Sequence, residues 1–240
     1  MRMHNRTYYD EFSTHYEAER LHDGGYHAMI DSLEVDLALR YVHGAQVLEA
    51  GCGTGLILRR LAPVAARAVG VDLSAGMLRQ AAARGLTVVQ DSVTELPLAD
   101  ASFDVVCSFK VLAHVEHITR AVHELSRVTR PGGHLLLEFY NPWSLRYLVK
   151  RLKSPTRISL QATDESVYTR YDHLDAIRGY LPPRHEIVDL RGVRVVTPVS
   201  TVFKVPPVGR MFHFLEGQLC DVPVMRRLGG FLIVVVRKGA

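Results

Sequence analysis

Ten residues, Gln46–Gly55, constrain this 240-residue chain more than any other stretch; they read Q-V-L-E-A-G-C-G-T-G. Val47 and Leu48 begin an apolar run, Glu49 interrupts it, and glycines follow at alternate positions, Gly51, Gly53 and Gly55. A short apolar run closed abruptly by glycines reads as a buried strand entering a tight turn. Leu56-Ile57-Leu58-Arg59-Arg60-Leu61 then carries apolar residues at helical spacing, so the turn leads into a helix. Glycine leaves no Cβ between backbone and ligand and tolerates positive φ, while the helix start offers unpaired N–H groups to an anion or carboxylate. Strand, glycine loop and helix together form a cofactor cradle. An ordinary strand-to-helix turn of an α/β protein is the plainer alternative.

Two cofactor classes use such a cradle. The dinucleotide fingerprint G-x-G-x-x-G/A needs a small residue three places after its second glycine, and that place holds Leu56. The spacing here is G-x-G-x-G behind an acidic strand end. Val47–Gly55 resembles the first motif of the class I S-adenosylmethionine (SAM) dependent methyltransferases, of the ubiquinone/menaquinone-biosynthesis type. That resemblance implies a doubly wound α/β fold: a seven-stranded Rossmann-like sheet, mostly parallel with an antiparallel last strand, and helices on both faces. It also implies that Glu49, Gly51, Cys52, Gly53 and Gly55 shape the methionine end of bound SAM.

With 48% hydrophobic residues the chain can bury one large core, and it reads as a single domain with insertions. No run of about 18 uncharged apolar residues offers a membrane span, and the N-terminus lacks the apolar segment of a signal peptide. Cys52, Cys107 and Cys220 are odd in number and without a C-x-x-C pair, which suits packing residues in a reducing cytoplasm. Charge divides unevenly: residues 1–140 hold 13 Lys/Arg against 17 Asp/Glu, and residues 141–240 hold 16 against 8. The basic half suits an anionic substrate, a phosphate-rich surface or simply a solvated face. No nucleic-acid recognition motif is visible, no metal is expected, and monomer and homodimer both stay open.

Residues 1–44 read as a helical, aromatic lid. Tyr8, Tyr9, Phe12 and Tyr16 recur at spacings that put a stripe on one helix face, either core or cofactor contact; Y-Y-D-E-F-S-x-x-Y resembles the family's lid segment. Gly24-Gly25 breaks the pattern before a second helix from Tyr26 to about Tyr41.

Ala68–Ser74 reads as a second strand ending in Asp72, 21 positions past Gly51, where a carboxylate can accept from both hydroxyls of a ribose. Leu73 follows it. Ser74 caps a helix that ends near Gly85, and Met77 resembles the family's residue packing on the adenosine, or else is plain core. Leu86–Gln90 is a third strand closed by Asp91; by the resemblance Asp91 accepts from the adenine amino group, with Ser92 and Val93 beside it. A helix N-cap is the alternative for Asp91.

Phe103–Phe109 forms the fourth strand and leads into K-V-L-A-H-V-E-H, the turn that lines the transfer pocket in the family. Phe109 is assigned to the cofactor, Lys110 and His114 to the acceptor, with His114 the candidate base or a bland loop residue. Ile118–Thr129 is an amphipathic helix, and His134–Tyr140 a fifth strand. L-x-R-V-x-R-P-G-G-x-L-L-L resembles the family closely, so Gln46–Tyr140 (residues 45–140 as a core) is covered.

Beyond it, 141–170 and 197–230 read as substrate-side insertions. Asn141–Leu160 holds Arg146, Lys150, Arg151, Lys153 and Arg157 without an acid, a basic amphipathic helix suited to an anionic substrate group or an anionic membrane surface. Tyr8, Lys110, His114, Tyr140 and Arg146 are the acceptor-side candidates. A helix over Tyr171–Tyr180, a strand over Glu186–Val196 and a last strand from Phe231 complete the chain. Residues 197–230, apolar but broken by prolines and glycines, read as a hydrophobic cap or dimer contact. The resemblance implies methyl transfer to O, N or C of a small, partly hydrophobic metabolite; a lipid methyltransferase and a non-catalytic SAM-binding protein are the other readings.

Overall fold

The computed structural model describes residues 10, 13, 15–21, 25–152 and 168–239. Tyr8, Tyr9, Phe12, Lys153 and Arg157 lie outside the described residues. Seven strands form one sheet: β1 (Gln46–Ala50), β2 (Arg67–Asp72), β3 (Thr87–Gln90), β4 (Phe103–Ser108), β5 (Thr129–Tyr140), β6 (His185–Val193) and β7 (Phe231–Lys238). Their spatial order is β3-β2-β1-β4-β5-β7-β6. The first five run parallel to their neighbours, and β7 is antiparallel to both β5 and β6. The expected doubly wound sheet with an antiparallel last strand is what forms.

Burial on both faces explains the near-continuous apolar strands, F-L-I-V-V-V of β7 above all. Alternation assigns each residue a face. Val47, Val105, Leu136 and Ile233 meet α2 (Tyr26–Val42), the short α3 (Leu58–Leu61) and the segment carrying α8 (Pro206–Leu219). Leu48, Val106, Leu137 and Val234 meet α5 (Ile118–Val128) and α7 (Leu174–Tyr180). α4 (Ala75–Ala83) packs beside β2 and β3, α1 (Tyr16–Leu21) precedes α2, and α6 (Leu145–Leu152) follows β5.

Three local expectations change. The helix after the glycine loop has only four residues, because residues 51–56 are spent on turns. Residues 197–230, expected as a broken apolar cap, contain the 14-residue α8, which Pro206 and Pro207 start rather than stop. In α6 the polarity is inverted: Leu145 and Leu148 are exposed while the Arg146 guanidinium lies over two aromatic rings.

Candidate active site

The strand order reverses between β1 and β4, whose carboxyl ends open a crevice where α/β sheets place their ligands. A cavity of about 490 Å³ sits there, within the roughly 300–1,000 Å³ of small-molecule sites. Gly51, Gly53 and Gly55 all take positive φ. Gly51 admits no side chain, since a Cβ would collide with Val111 across the crevice. Gly70 is needed for a different reason: Cys52 and Leu58 pack onto its Cα, and a Cβ there would stand 2.6 Å from the Cys52 sulfur.

Asp72 organises this loop. Its two carboxylate oxygens accept from the Gly53 and Ser74 amides, at 2.8 and 2.9 Å. Burial lifts its pKa above the ordinary range although both amides oppose the shift. Ser74 caps α4 by accepting from the Met77 amide, as the sequence implies. The Asp91 carboxylate accepts from Ser92 N–H at 2.7 Å. Residues 92–95 form a turn held by the Ser92 hydroxyl, not a helix, so Asp91 is not an N-cap.

Tyr16, Glu49, Gly51, Cys52, Gly53, Asp72, Leu73 and Met77 line the cavity. Asp91, Ser92, Val93, Phe109, Lys110 and His114 line it too, Asp91 beside Asp72 through its amide on the Asp72 carbonyl at 3.1 Å. Gly55 does not reach it; it is the turn into α3, packed beneath Leu86. Tyr140 and Arg146, assigned to the acceptor, are not on the cavity wall either. Tyr140 stands behind His114, with its hydroxyl 3.4 Å from Nε2, and Arg146 stands behind Tyr140. No residue of 197–230 contributes to the lining.

His114 has a defined tautomer. Its Nδ1 is 2.8 Å from the Tyr168 carbonyl oxygen, which can only accept, so Nδ1 carries the proton. Nε2 is left as the basic nitrogen. Burial pushes the Tyr140 phenol up to about 12, so that hydroxyl keeps its proton and can donate toward Nε2.

Sequence reasoning missed a buried polar cluster at the end of β1. Lys110 Nζ donates to Asp31 Oδ1 at 2.8 Å and Glu34 Oε2 at 2.7 Å, and Arg20 pairs with Asp31. The Lys110 amide donates to Glu138 at 3.2 Å, and Lys110 itself takes φ +60. Burial drives Glu49 and Glu138 well above the carboxylate range. It raises Glu34 as well, against the pull of Lys110. Glu34 Oε1 and Glu138 Oε2 are buried without a hydrogen-bond partner among the described residues, and the nearby charge of Glu34 adds to the rise at Glu138. Burial opposes ionisation of Asp31 too, but Lys110 and Arg20 outweigh it and hold that group low. Among the described residues, Glu49 Oε2 is buried without a hydrogen-bond partner, at the cavity wall. An acid inside an apolar run was the available signal, as in L-L-L-E-F-Y; its partners, 28 and 76 positions apart, were not.

Asp10 and Glu17 reach α4 and, through Arg84, the glycine loop by polar contacts. Asp10 accepts from the Ser74 hydroxyl and the Gly76 amide. Glu17 accepts twice from Arg84, whose other arm donates to the Thr54 carbonyl.

Residues 48–137 match the family model described as a methyltransferase domain. The resemblance read from the motifs is borne out for that region. A demethylmenaquinone methyltransferase of Mycobacterium sp. (strain KMS) is 36% identical over 144 residues, 56% of this chain and 62% of that protein. A probable S-adenosylmethionine-dependent methyltransferase of Mycolicibacterium smegmatis is 40% identical over 100 residues, 41% of this chain and 39% of that protein. The chain thus spans about two fifths to three fifths of the length of these curated relatives. A solved SAM-dependent methyltransferase from Thermotoga maritima, described as a possible histamine N-methyltransferase, shares the fold of this chain. Its TM-score is 0.67 over 96% of this chain and 98% of that one, at 19% identity. Among the described residues no group of three or more His, Cys, Asp or Glu is arranged to hold a metal ion, and no helix is long and apolar enough to cross a membrane.

Proposed function

We propose that the protein is a SAM-dependent methyltransferase acting on O, N or C of a small, partly hydrophobic metabolite of the aromatic, quinone or isoprenoid kind. The observation carrying this reading is the pair of carboxylates at the ends of two neighbouring strands, Asp72 and Asp91, that line one cavity beside the glycine loop. A dinucleotide needs only the first of these. The residues present fit SAM. Asp72 keeps one lone pair on each oxygen for a ribose, Asp91 and Ser92 suit an adenine edge, and Met77 and Leu73 offer apolar cover. The glycine loop leaves room a Cβ would fill, and the unpartnered Glu49 Oε2 suits an ammonium group.

SAM, when bound, supplies an electrophilic methyl group on a sulfonium. The chain's own contribution is alignment and exclusion of water, to which Tyr16 on the cavity wall and the Asp10 and Glu17 contacts beside it would contribute. His114, on the cavity wall, is the candidate base for an oxygen or nitrogen nucleophile, and Tyr140, whose hydroxyl lies 3.4 Å from Nε2, orients its ring. The relatives named demethylmenaquinone methyltransferase support a quinone-type acceptor.

The test is base recognition. The protein should bind S-adenosylhomocysteine at least tenfold more tightly than S-inosylhomocysteine, which lacks the amino group, and Asp91→Ala should bring the two within twofold. Equal affinities in the unsubstituted protein would sink the reading.

A second reading rests on α6. Trp143, Leu145 and Leu148 are 72%, 41% and 57% exposed beside a basic stretch, a pattern that suits an acceptor presented at an anionic membrane surface. Salt-sensitive co-sedimentation with phosphatidylglycerol vesicles would support it; no co-sedimentation at low salt would remove it.

A further inference from the structure

Beyond the cavity wall, two arginines meet at Gly230. A Cβ built on Gly230 would lie 3.1 Å from Arg146 Cδ and 3.5 Å from Arg194 Cβ. Aromatic rings frame both. The Arg146 guanidinium carbon is 4.7 Å from the Tyr140 ring centroid and 5.0 Å from that of Phe231. The Arg194 guanidinium carbon is 5.2 Å from the Tyr26 centroid, and Tyr26 leans edge-on against Phe203.

Neither arginine has a carboxylate partner within salt-bridge distance among the described residues. Arg146 makes one long bond, 3.4 Å to the Tyr171 hydroxyl. Arg194 spends Nε and one terminal nitrogen on the carbonyls of Thr197 and Pro198. Glu216 is the acid nearest in effect to Arg194, but its two oxygens already accept from the Val195, Val196 and Thr197 amides and the Thr197 hydroxyl. Burial, with the like charge of Arg146 adding to it, lowers the pKa of Arg194.

Elsewhere in the molecule the inward-turned arginines are paired: Arg20 with Asp31, Arg170 with Asp172, Arg191 with Asp221. Two neighbouring, partly desolvated guanidiniums without an anion are costly, because buried charges are ordinarily compensated. Arginine rather than lysine offers a planar fork that matches a carboxylate in two bonds. The pair is joined to the cavity through Tyr140, whose hydroxyl reaches His114 Nε2.

We infer that Arg146 and Arg194 form the anion subsite of the acceptor, and that the acceptor is a flat aromatic carboxylate. This rests on the methyltransferase reading above and names its substrate class. The aromatic frame matches a flat ring, and a singly charged carboxylate is cheaper to desolvate there than a phosphate dianion.

The experiment is a calorimetric titration of the protein, saturated with S-adenosylhomocysteine, using 2-naphthoate, its uncharged analogue 2-naphthamide, and inorganic phosphate. Naphthoate should bind at least tenfold more tightly than naphthamide, and more tightly than phosphate. Arg146→Gln and Arg194→Gln should each weaken naphthoate at least tenfold, to the naphthamide level, with S-adenosylhomocysteine affinity held within twofold. Arg146→Lys, which keeps the charge without the fork, should fall between; with Arg194→Gln it carries the comparison if Arg146→Gln does not fold. Equal binding of naphthoate and naphthamide overturns the proposal, as does phosphate binding more tightly than naphthoate. So do glutamine variants that melt lower yet bind naphthoate unchanged, which would make the arginines structural props. If S-adenosylhomocysteine does not bind, the cofactor reading fails on its own, and the same titration without it still reads the arginine pair.

Discussion

Glu138 is 1% exposed and Glu49 3%, and burial raises both carboxyls well above the roughly 4.3 of an unfolded glutamate. A folded-state pKa that is raised means the folded chain binds more protons above that pH, so stability falls as pH rises. Each such group contributes a slope of about 1.4 kcal/mol per pH unit between its ordinary and its raised value. Glu138→Gln, a neutral mimic, should therefore flatten the pH dependence of urea unfolding above about pH 5 by about that slope. An unchanged slope would mean that Glu138 is ionised in the folded protein. Asp72 allows a second prediction at this scale. Asp72→Ala removes both the ribose acceptor and the anchor for the Gly53 and Ser74 amides. Asp72→Asn keeps one acceptor. S-adenosylhomocysteine binding should vanish in the first and weaken by roughly one to two orders of magnitude in the second, as charge-assisted bonds of about 1.5–3 kcal/mol imply. Equal affinity of Asp72→Ala and the unsubstituted protein would show that the loop does not hold a ribose.

Lys110 ties two elements together, β4's end to α2, by reaching Asp31 and Glu34 from a left-handed backbone position. Lys110→Met leaves two buried carboxylates without their cation and should cost about 3 kcal/mol, at the low end of broken buried pairs because Glu34 can take a proton instead. Lys110→Gly should be more stable than Lys110→Ala by about 1 kcal/mol, since glycine accepts positive φ without strain; denaturant midpoints of the pair check this. Elements with a local signal were legible in the sequence. β1 and its glycines, the Ser74 cap and the periodic α5 all formed where the residues placed them. Where the deciding partner is distant, the pattern misled. Arg146 reads as the polar side of a basic helix, yet Tyr140 and Phe231 draw it inward and leave Leu145 and Leu148 outside. α8 looked broken because Gly209 and Gly217 interrupt it, although Gly209 is there to admit Phe203. Of the site, the strand-end acids and glycines could be read from spacing. The Glu34–Lys110–Glu138 cluster could not, since only the packing of α2 against the sheet brings it together.

Over the whole molecule the fold follows from one choice, a parallel sheet whose order reverses beside β1. That reversal puts the glycine loop, Asp72, Asp91 and His114 at a single edge, although they come from different strands and loops. It also places the ends of β5 and β6 and the start of β7 next to that edge, where Arg146 and Arg194 meet. The residues lining the cavity come from the acidic first half and from Tyr168, while Arg146 and Arg194 belong to the basic second half. A fold of this kind hosts many activities, so the account turns on what the cavity binds. Calorimetric titration with S-adenosylhomocysteine and, separately, NADH tests this most directly. The account predicts micromolar binding of S-adenosylhomocysteine and none of NADH. Binding of NADH alone, or of neither, would contradict it.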